Sequence, residues 1–198
     1  MNIGLTGGIA TGKSSVSAWL SSKGAKLIDA DLIAREVMMP DHPVLAQVVQ
    51  RFGADMLQAD GTLNRKKLGE HIFTHPEERK SLEEITHPAI RELIQTRTLE
   101  LEQQYPDTLV VADIPLLLEA KGVYTFDQIM VVYVPQSVQL ERLIARDGLT
   151  EEQAWKRINA QMDIEQKKKI ADIVIDNSGT LEDTYAQLEE FWQSKGLS

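Results

Sequence analysis

Gly7-Gly8-Ile9-Ala10-Thr11-Gly12-Lys13-Ser14 fits G-x-x-x-x-G-K-[ST] without a gap. The preceding Met1-Asn2-Ile3-Gly4-Leu5-Thr6 reads as a short buried strand, and the following Ser15-Val16-Ser17-Ala18-Trp19-Leu20 reads as a helix. Strand, Gly-rich turn and helix in that order turn the pattern into a phosphate site. Glycines let the backbone wrap closely, so that successive N–H groups face phosphate oxygens. The helix N-terminus adds its partial positive charge. Lys13 is placed to reach the β- and γ-phosphates, and the Ser14 hydroxyl to sit on Mg²⁺. With Ser15, residues 7–15 form an expected cradle for a nucleoside triphosphate.

Working outward, four further β-rich runs stand out, over residues 25–29, 109–114, 128–134 and 172–176, after the first over 2–6. Most are nearly continuous apolar runs, which suits strands buried on both faces of a parallel sheet. Helical patterns separate them, so the connections read as right-handed crossovers. The expected fold is α/β, a three-layer α/β/α core around a five-stranded parallel sheet. Two helical excursions interrupt it. In the first, Leu45, Val48, Val49, Phe52 and Met56 follow one helical stripe, and Ile90, Leu93, Ile94 and Leu101 another. An Asp60-Gly61 turn and a Thr74-His75-Pro76 break lie between them, and His87-Pro88 reads as a helix start. In the second, Leu140, Leu143 and Ile144 are followed by a break at Asp147-Gly148 and a capping box from Thr150 to Gln153. Trp155, Ile158 and Met162 begin the next helix, and Leu181, Tyr185, Leu188 and Trp192 form the last one. This organisation gives a core of residues 1–31, 106–135 and 170–198, an insertion over 32–105, and a lid over 136–169.

Composition narrows the function. With 198 residues, 42% hydrophobic and 26% charged, the chain suits one soluble globular core with inserts. It has no cysteine, hence no disulfide, thiolate metal site or cysteine nucleophile. A net charge of −9 disfavours nucleic acid as a partner. Asp113 and Pro115 break the longest apolar run, so no membrane association is expected. The first strand starts at about residue 2, leaving no room for a leader, so the cytoplasm is the expected compartment. A monomer or weak homo-oligomer is expected.

Several polar residues fall where an α/β sheet binds ligands, beyond the strands' carboxyl ends. Asp29 and Asp31 close the second strand, and alternation along an extended segment sends both to one side. A carboxylate there can accept an acceptor hydroxyl's proton or hold Mg²⁺ through water; the competing role is a helix N-cap. Asp113 is a Mg²⁺-side or substrate-side carboxylate, or a turn cap. Pro115 to Glu119 offers an apolar substrate wall or plain core. Arg142 and Arg146 share a helical face and suit the charge that spreads over a transferred phosphoryl group. Lys167-Lys168-Lys169 reads as a solvated face. The Asn177 amide either reads an adenine edge or closes an Asx turn. No Asn-Lys-x-Asp guanine signature is present, and the length fits a small kinase better than a motor.

The ordered motifs resemble the dephospho-CoA kinase family over essentially the whole chain. They are the loop Leu5 to Ser14, Asp29-Ala30-Asp31 with Ala34-Arg35, Gly61-Thr62-Leu63-Asn64-Arg65, His87-Pro88, Asp113 to Glu119, the Arg142/Arg146 pair and Ala171 to Asn177. The resemblance implies transfer of the ATP γ-phosphoryl group to the ribose 3′-hydroxyl of dephospho-CoA, the last step of coenzyme A biosynthesis, with Mg²⁺. It implies that the insertion binds the CoA moiety and that Asp31 is the acceptor-side base. It places Arg65, His87, Asp113, Leu116 and Glu119 at the acceptor, Arg142 and Arg146 in the lid, and Asn177 near the adenine. Ala10 and Thr11 stand where Gly-Ser is commoner, and Asn64 where Asp is frequent. Another small-molecule or nucleotide kinase, or a regulatory ATPase, are the alternatives.

Overall fold

The computed structural model describes residues 1–120 and 124–197. It divides into two compact units, Met1–Ile28 with Arg97–Ser198, and Asp29–Thr96.

The first unit is built on five short strands: β1 (Asn2–Gly7), β2 (Lys26–Asp29), β3 (Val110–Asp113), β4 (Gln128–Tyr133) and β5 (Ile173–Asp176). They form one parallel sheet in the order β2-β3-β1-β4-β5. β1 is central, with Leu5 level with Asp113 of β3 on one side and with Met130 of β4 on the other. All five runs expected from the sequence are strands, each within a residue or two of its expected bounds.

Alternation along the strands divides the apolar residues between two layers. Ile3, Leu5, Val111, Met130 and Val132 pack with Val16 and Leu20 of α1 (Lys13–Ser22) and with Leu188, Phe191 and Trp192 of α9 (Leu181–Ser194). On the other face Val131 and Tyr133 meet Ile164 of α8 (Ile164–Ile170). The hairpin of α6 (Gln136–Asp147) and α7 (Glu151–Ile158) has its own small core, in which Leu143, Ala154 and Ile158 pack beside Ile9 and Ala10. The Thr150–Gln153 capping box forms as expected.

The second unit holds α2 (Ala30–Glu36), α3 (Pro43–Phe52), a 3₁₀ turn (Ala54–Met56), α4 (Arg65–Thr74) and most of α5 (Pro76–Gln104). Four readings need correcting. First, Asp29 and Asp31 do not share an extended segment. Asp29 ends β2 and its carboxylate caps α2, accepting from the Asp31 and Leu32 amides, whereas Asp31 already lies in the helix. Second, Gly53, at φ 100°, ends α3 before Met56, which is buried in the 3₁₀ turn. Third, Pro88 lies inside α5; the helix starts at Pro76, where a missing N–H costs nothing. Fourth, α7 ends at Ile158, so Met162 lies in the linker to α8. The expected insertion over 32–105 overlaps the second unit, but α5 returns to the first from Arg97 onward.

Candidate functional site

The loop after β1 turns into α1 through Gly12, which holds φ 84° and ψ 22° and caps the helix without a side chain. The first-turn amides of α1 therefore face outward with no side-chain acceptor, a ready anion site. Residues 7–15 line an open cavity of about 690 Å³, joined by Pro115, Arg142, Arg146, Gln161, Asn177 and Leu181.

The loop is braced on every side. A β-carbon on Gly12, at φ 84°, would collide with the Asn177 amide, so this position requires glycine, and one on Gly8 would push the Gln139 amide away from the loop. Gln139 Nε2 donates to the Ile9 carbonyl (2.8 Å), and the Ile9 N–H donates to Gln161 Oε1 (2.8 Å). Thr11 Oγ1 closes on the Gly8 carbonyl (2.9 Å). Asn177 Nδ2 donates to the Thr11 carbonyl (2.8 Å), while its Oδ1 accepts from Thr184 Oγ1 (2.7 Å). The Asn177 amide thus ties the loop to α9 while still lining the cavity. Asp176 closes the Asx turn instead, accepting from the Ser178 N–H.

Lys13 heads α1 and forms an ion pair with Asp113, whose other oxygen accepts from Ser17. Asp113 ends β3, next to β1, so the sheet order itself puts this carboxylate beside the loop lysine. From α6, Arg142 Nη2 donates to the Asn177 carbonyl (2.9 Å). Arg146 pairs with Asp147 at 2.7 Å, and Asp147 also takes Arg157 at 2.7 Å. Hydrogen bonding to Arg146 holds the Asp147 carboxyl below the usual range, and the same bond holds Arg146 more firmly protonated.

Sequence reasoning missed Lys167. It is completely buried, and its Nζ reaches the Gly7 carbonyl at 3.0 Å and Glu119 at 2.8 Å. Lys168, by contrast, lies over the Tyr133 ring. The signal was spacing: Lys167 is one turn past the buried Ile164, so one lysine of three points inward. The same Glu119 oxygen, Oε1, also accepts the Met162 N–H at 3.0 Å. Leu116 is exposed.

In the second unit, the Asp31 carboxylate is exposed and takes no partner among the described residues. Arg65 opens α4 and donates to the Arg35 carbonyl at 3.0 Å. Asn64 caps α4 by accepting from the Lys67 N–H, a task Asn performs as well as Asp. His87 lies beside Pro88 on a shallow groove of about 390 Å³ with Lys80, Glu84 and Arg91.

Among the described residues, no cluster of three or more His, Asp or Glu forms a metal cage, and no helix is long and apolar enough to cross a membrane. The family model described as dephospho-CoA kinase matches residues 1–183. A dephospho-CoA kinase of Shouchella clausii is 50% identical over 188 residues, covering 95% of each chain. One of Carboxydothermus hydrogenoformans is 48% identical, covering 94% of this chain and 90% of that one. The solved dephospho-CoA kinase of Campylobacter jejuni superposes with a TM-score of 0.75 at 30% identity, covering 98% and 96%. With its nucleotide loop, its five-stranded parallel sheet and these relatives along nearly its full length, the chain belongs to the dephospho-CoA kinase family.

Proposed function

We infer that this chain transfers the γ-phosphoryl group of ATP to the ribose 3′-hydroxyl of dephospho-CoA, giving ADP and CoA. The observation that carries the reading is the braced loop, open at the α1 amides, with Lys13 at its head in a member of this family. The acceptor oxygen bonds to phosphorus as the bond to the ADP oxygen breaks, and the hydroxyl proton passes to a base. Asp31 is the proposed base, because its carboxylate is exposed and unpaired. Lys13 exchanges Asp113 for phosphate oxygens. Arg142 and Arg146, which line the cavity, complement the charge of the transferred group, as a lid built from the α6–α7 hairpin. Arg65 and His87, in the helical insertion, are proposed to hold the acceptor.

Mg²⁺ keeps several waters and binds through one or two protein oxygens plus nucleotide phosphates. Ser14, exposed beside Lys13 on the cavity wall, fits that need. The ion neutralises phosphate charge when bound. Small substrates and an acidic surface suit a cytoplasmic enzyme working without nucleic acid or membrane.

ADP release with and without dephospho-CoA tests this reading. Turnover should require dephospho-CoA, and Lys13→Ala and Asp31→Asn should each lower kcat at least ~10²-fold with the fold intact. Acceptor-independent turnover points to an ATPase, and dependence on a nucleoside monophosphate to another kinase. A folded Asp31→Asn enzyme at full rate removes Asp31 from the base role.

A further inference from the structure

Both backbone groups of Ile9 are already taken by glutamines. Gln139 of α6 holds the carbonyl, and Gln161 of the α7–α8 linker holds the N–H. Ile9 therefore offers no amide to a phosphate. The contact also fixes the Gln161 amide: an N–H can only donate, so Oε1 faces Ile9 and the other branch is the NH₂ group. Gln161 lines the cavity, and its Nε2 has no partner among the described residues. The donor withheld at Ile9 is thus replaced by a side-chain NH₂ on the cavity wall.

The linker that carries Gln161 is fixed. The Gln161 N–H bonds the Ile158 carbonyl (3.2 Å), and the next amide, Met162 N–H, bonds Glu119. Glu119 pairs with the buried Lys167, which grips the Gly7 carbonyl. Gln161 is therefore attached to the nucleotide loop twice, directly and through Glu119 and Lys167.

Asn177 and Gln161 meet the loop at different residues of the cavity wall. Asn177 stands beside Thr11 and Gly12. Gln161 stands on the cavity wall beside Ile9. This step rests on the reading above, with the adenine near Asn177 as the family resemblance implies; the last phosphate then lies on the Gln161 side. We propose that Gln161 Nε2 donates to the γ-phosphate of the bound triphosphate, which makes Gln161 a further ligand of the group being transferred.

Calorimetric titration with Mg²⁺ and either β,γ-imido-ATP or ADP tests this without turnover. For Gln161→Met, imido-ATP should bind at least about tenfold more weakly, the scale of a hydrogen bond to a charged group, while ADP stays within about twofold of the unsubstituted protein. A bare brace on Ile9 would weaken both nucleotides equally, and that result, or no change, overturns the assignment. Gln161→Glu keeps an oxygen for the Ile9 N–H but carries no donor. It should lose imido-ATP selectively as well, and native discrimination between the two nucleotides overturns the proposal even if the Met variant fails to fold. Unsubstituted protein that binds neither nucleotide overturns the donor-site reading and this proposal together, whereas native affinities in both variants overturn the Gln161 assignment alone.

Discussion

Ala10 holds φ 61°, and it is the one non-glycine residue with positive φ among the described residues. Its β-carbon meets the following carbonyl there, at about 1–2 kcal/mol, whereas glycine carries no such clash but loses more backbone entropy on folding. The balance favours glycine. Ala10→Gly should stabilise the protein by about 0.5–1 kcal/mol in urea unfolding, and an unchanged midpoint would mean that the alanine conformation is not strained. Lys167 raises the opposite problem, since a completely buried ammonium has to be repaid by its partners. Lys167→Met leaves Glu119 without its cation and should cost about 3–5 kcal/mol. Lys167→Met combined with Glu119→Gln should recover much of that loss, because neither charge is then stranded. If the double variant is no better than the single one, the Gly7 contact rather than the ion pair carries the energy.

At the scale of elements, what the sequence made legible is what local chemistry decides. β1 buries Ile3 and Leu5 and stops at Gly7, and α7 opens on a complete capping box. The site's donor half was readable for the same reason: loop, lysine and serine are consecutive. The braces were not readable, because Gln139, Gln161 and Asn177 reach the loop from 130, 152 and 166 residues away. Only the sheet order and the hairpin's packing bring them there. α5 misled for another reason. His87-Pro88 has the form of a helix start, yet Pro76 with Glu77 and Glu78 is the real start, and the long helix absorbs Pro88. A proline inside a helix removes the bond to the residue four before it, here Glu84, and its ring crowds that carbonyl. Pro88→Ala should therefore stabilise the protein by about 1–3 kcal/mol, read from thermal or urea unfolding. A destabilised variant would show that the break at Pro88 is accommodated by the packing around α5.

For the whole molecule, pH dependence collects surface and buried groups with opposite signs. Asp55, Asp60, Asp147, Asp183 and Glu189 are held below the usual carboxylate range, each first by a side-chain hydrogen bond, from Lys67, Thr62, Arg146, Thr180 and Lys23 respectively. A carboxyl lowered in the folded state stabilises it above its unfolded pKa of about 4, and that contribution is lost as pH falls through the folded values. At the other limb stands Tyr133 at the end of β4. Its hydroxyl donates to Glu165 Oε1 of α8 at 2.6 Å, and this bond to a carboxylate, with burial, pushes its pKa up to about 12. A raised pKa keeps its stabilisation intact below the unfolded value of about 10 and loses it as pH rises through the folded value. The melting temperature should therefore be nearly flat from about pH 5 to 9, fall below about 4, and fall again above about 10. Tyr133→Phe isolates the alkaline limb. It should cost about 1–2 kcal/mol at pH 8, because Glu165 loses its donor, and that cost should shrink toward zero as pH approaches 12. A cost that stays constant across this range would show that Tyr133 stabilises the sheet–α8 contact through its ring alone.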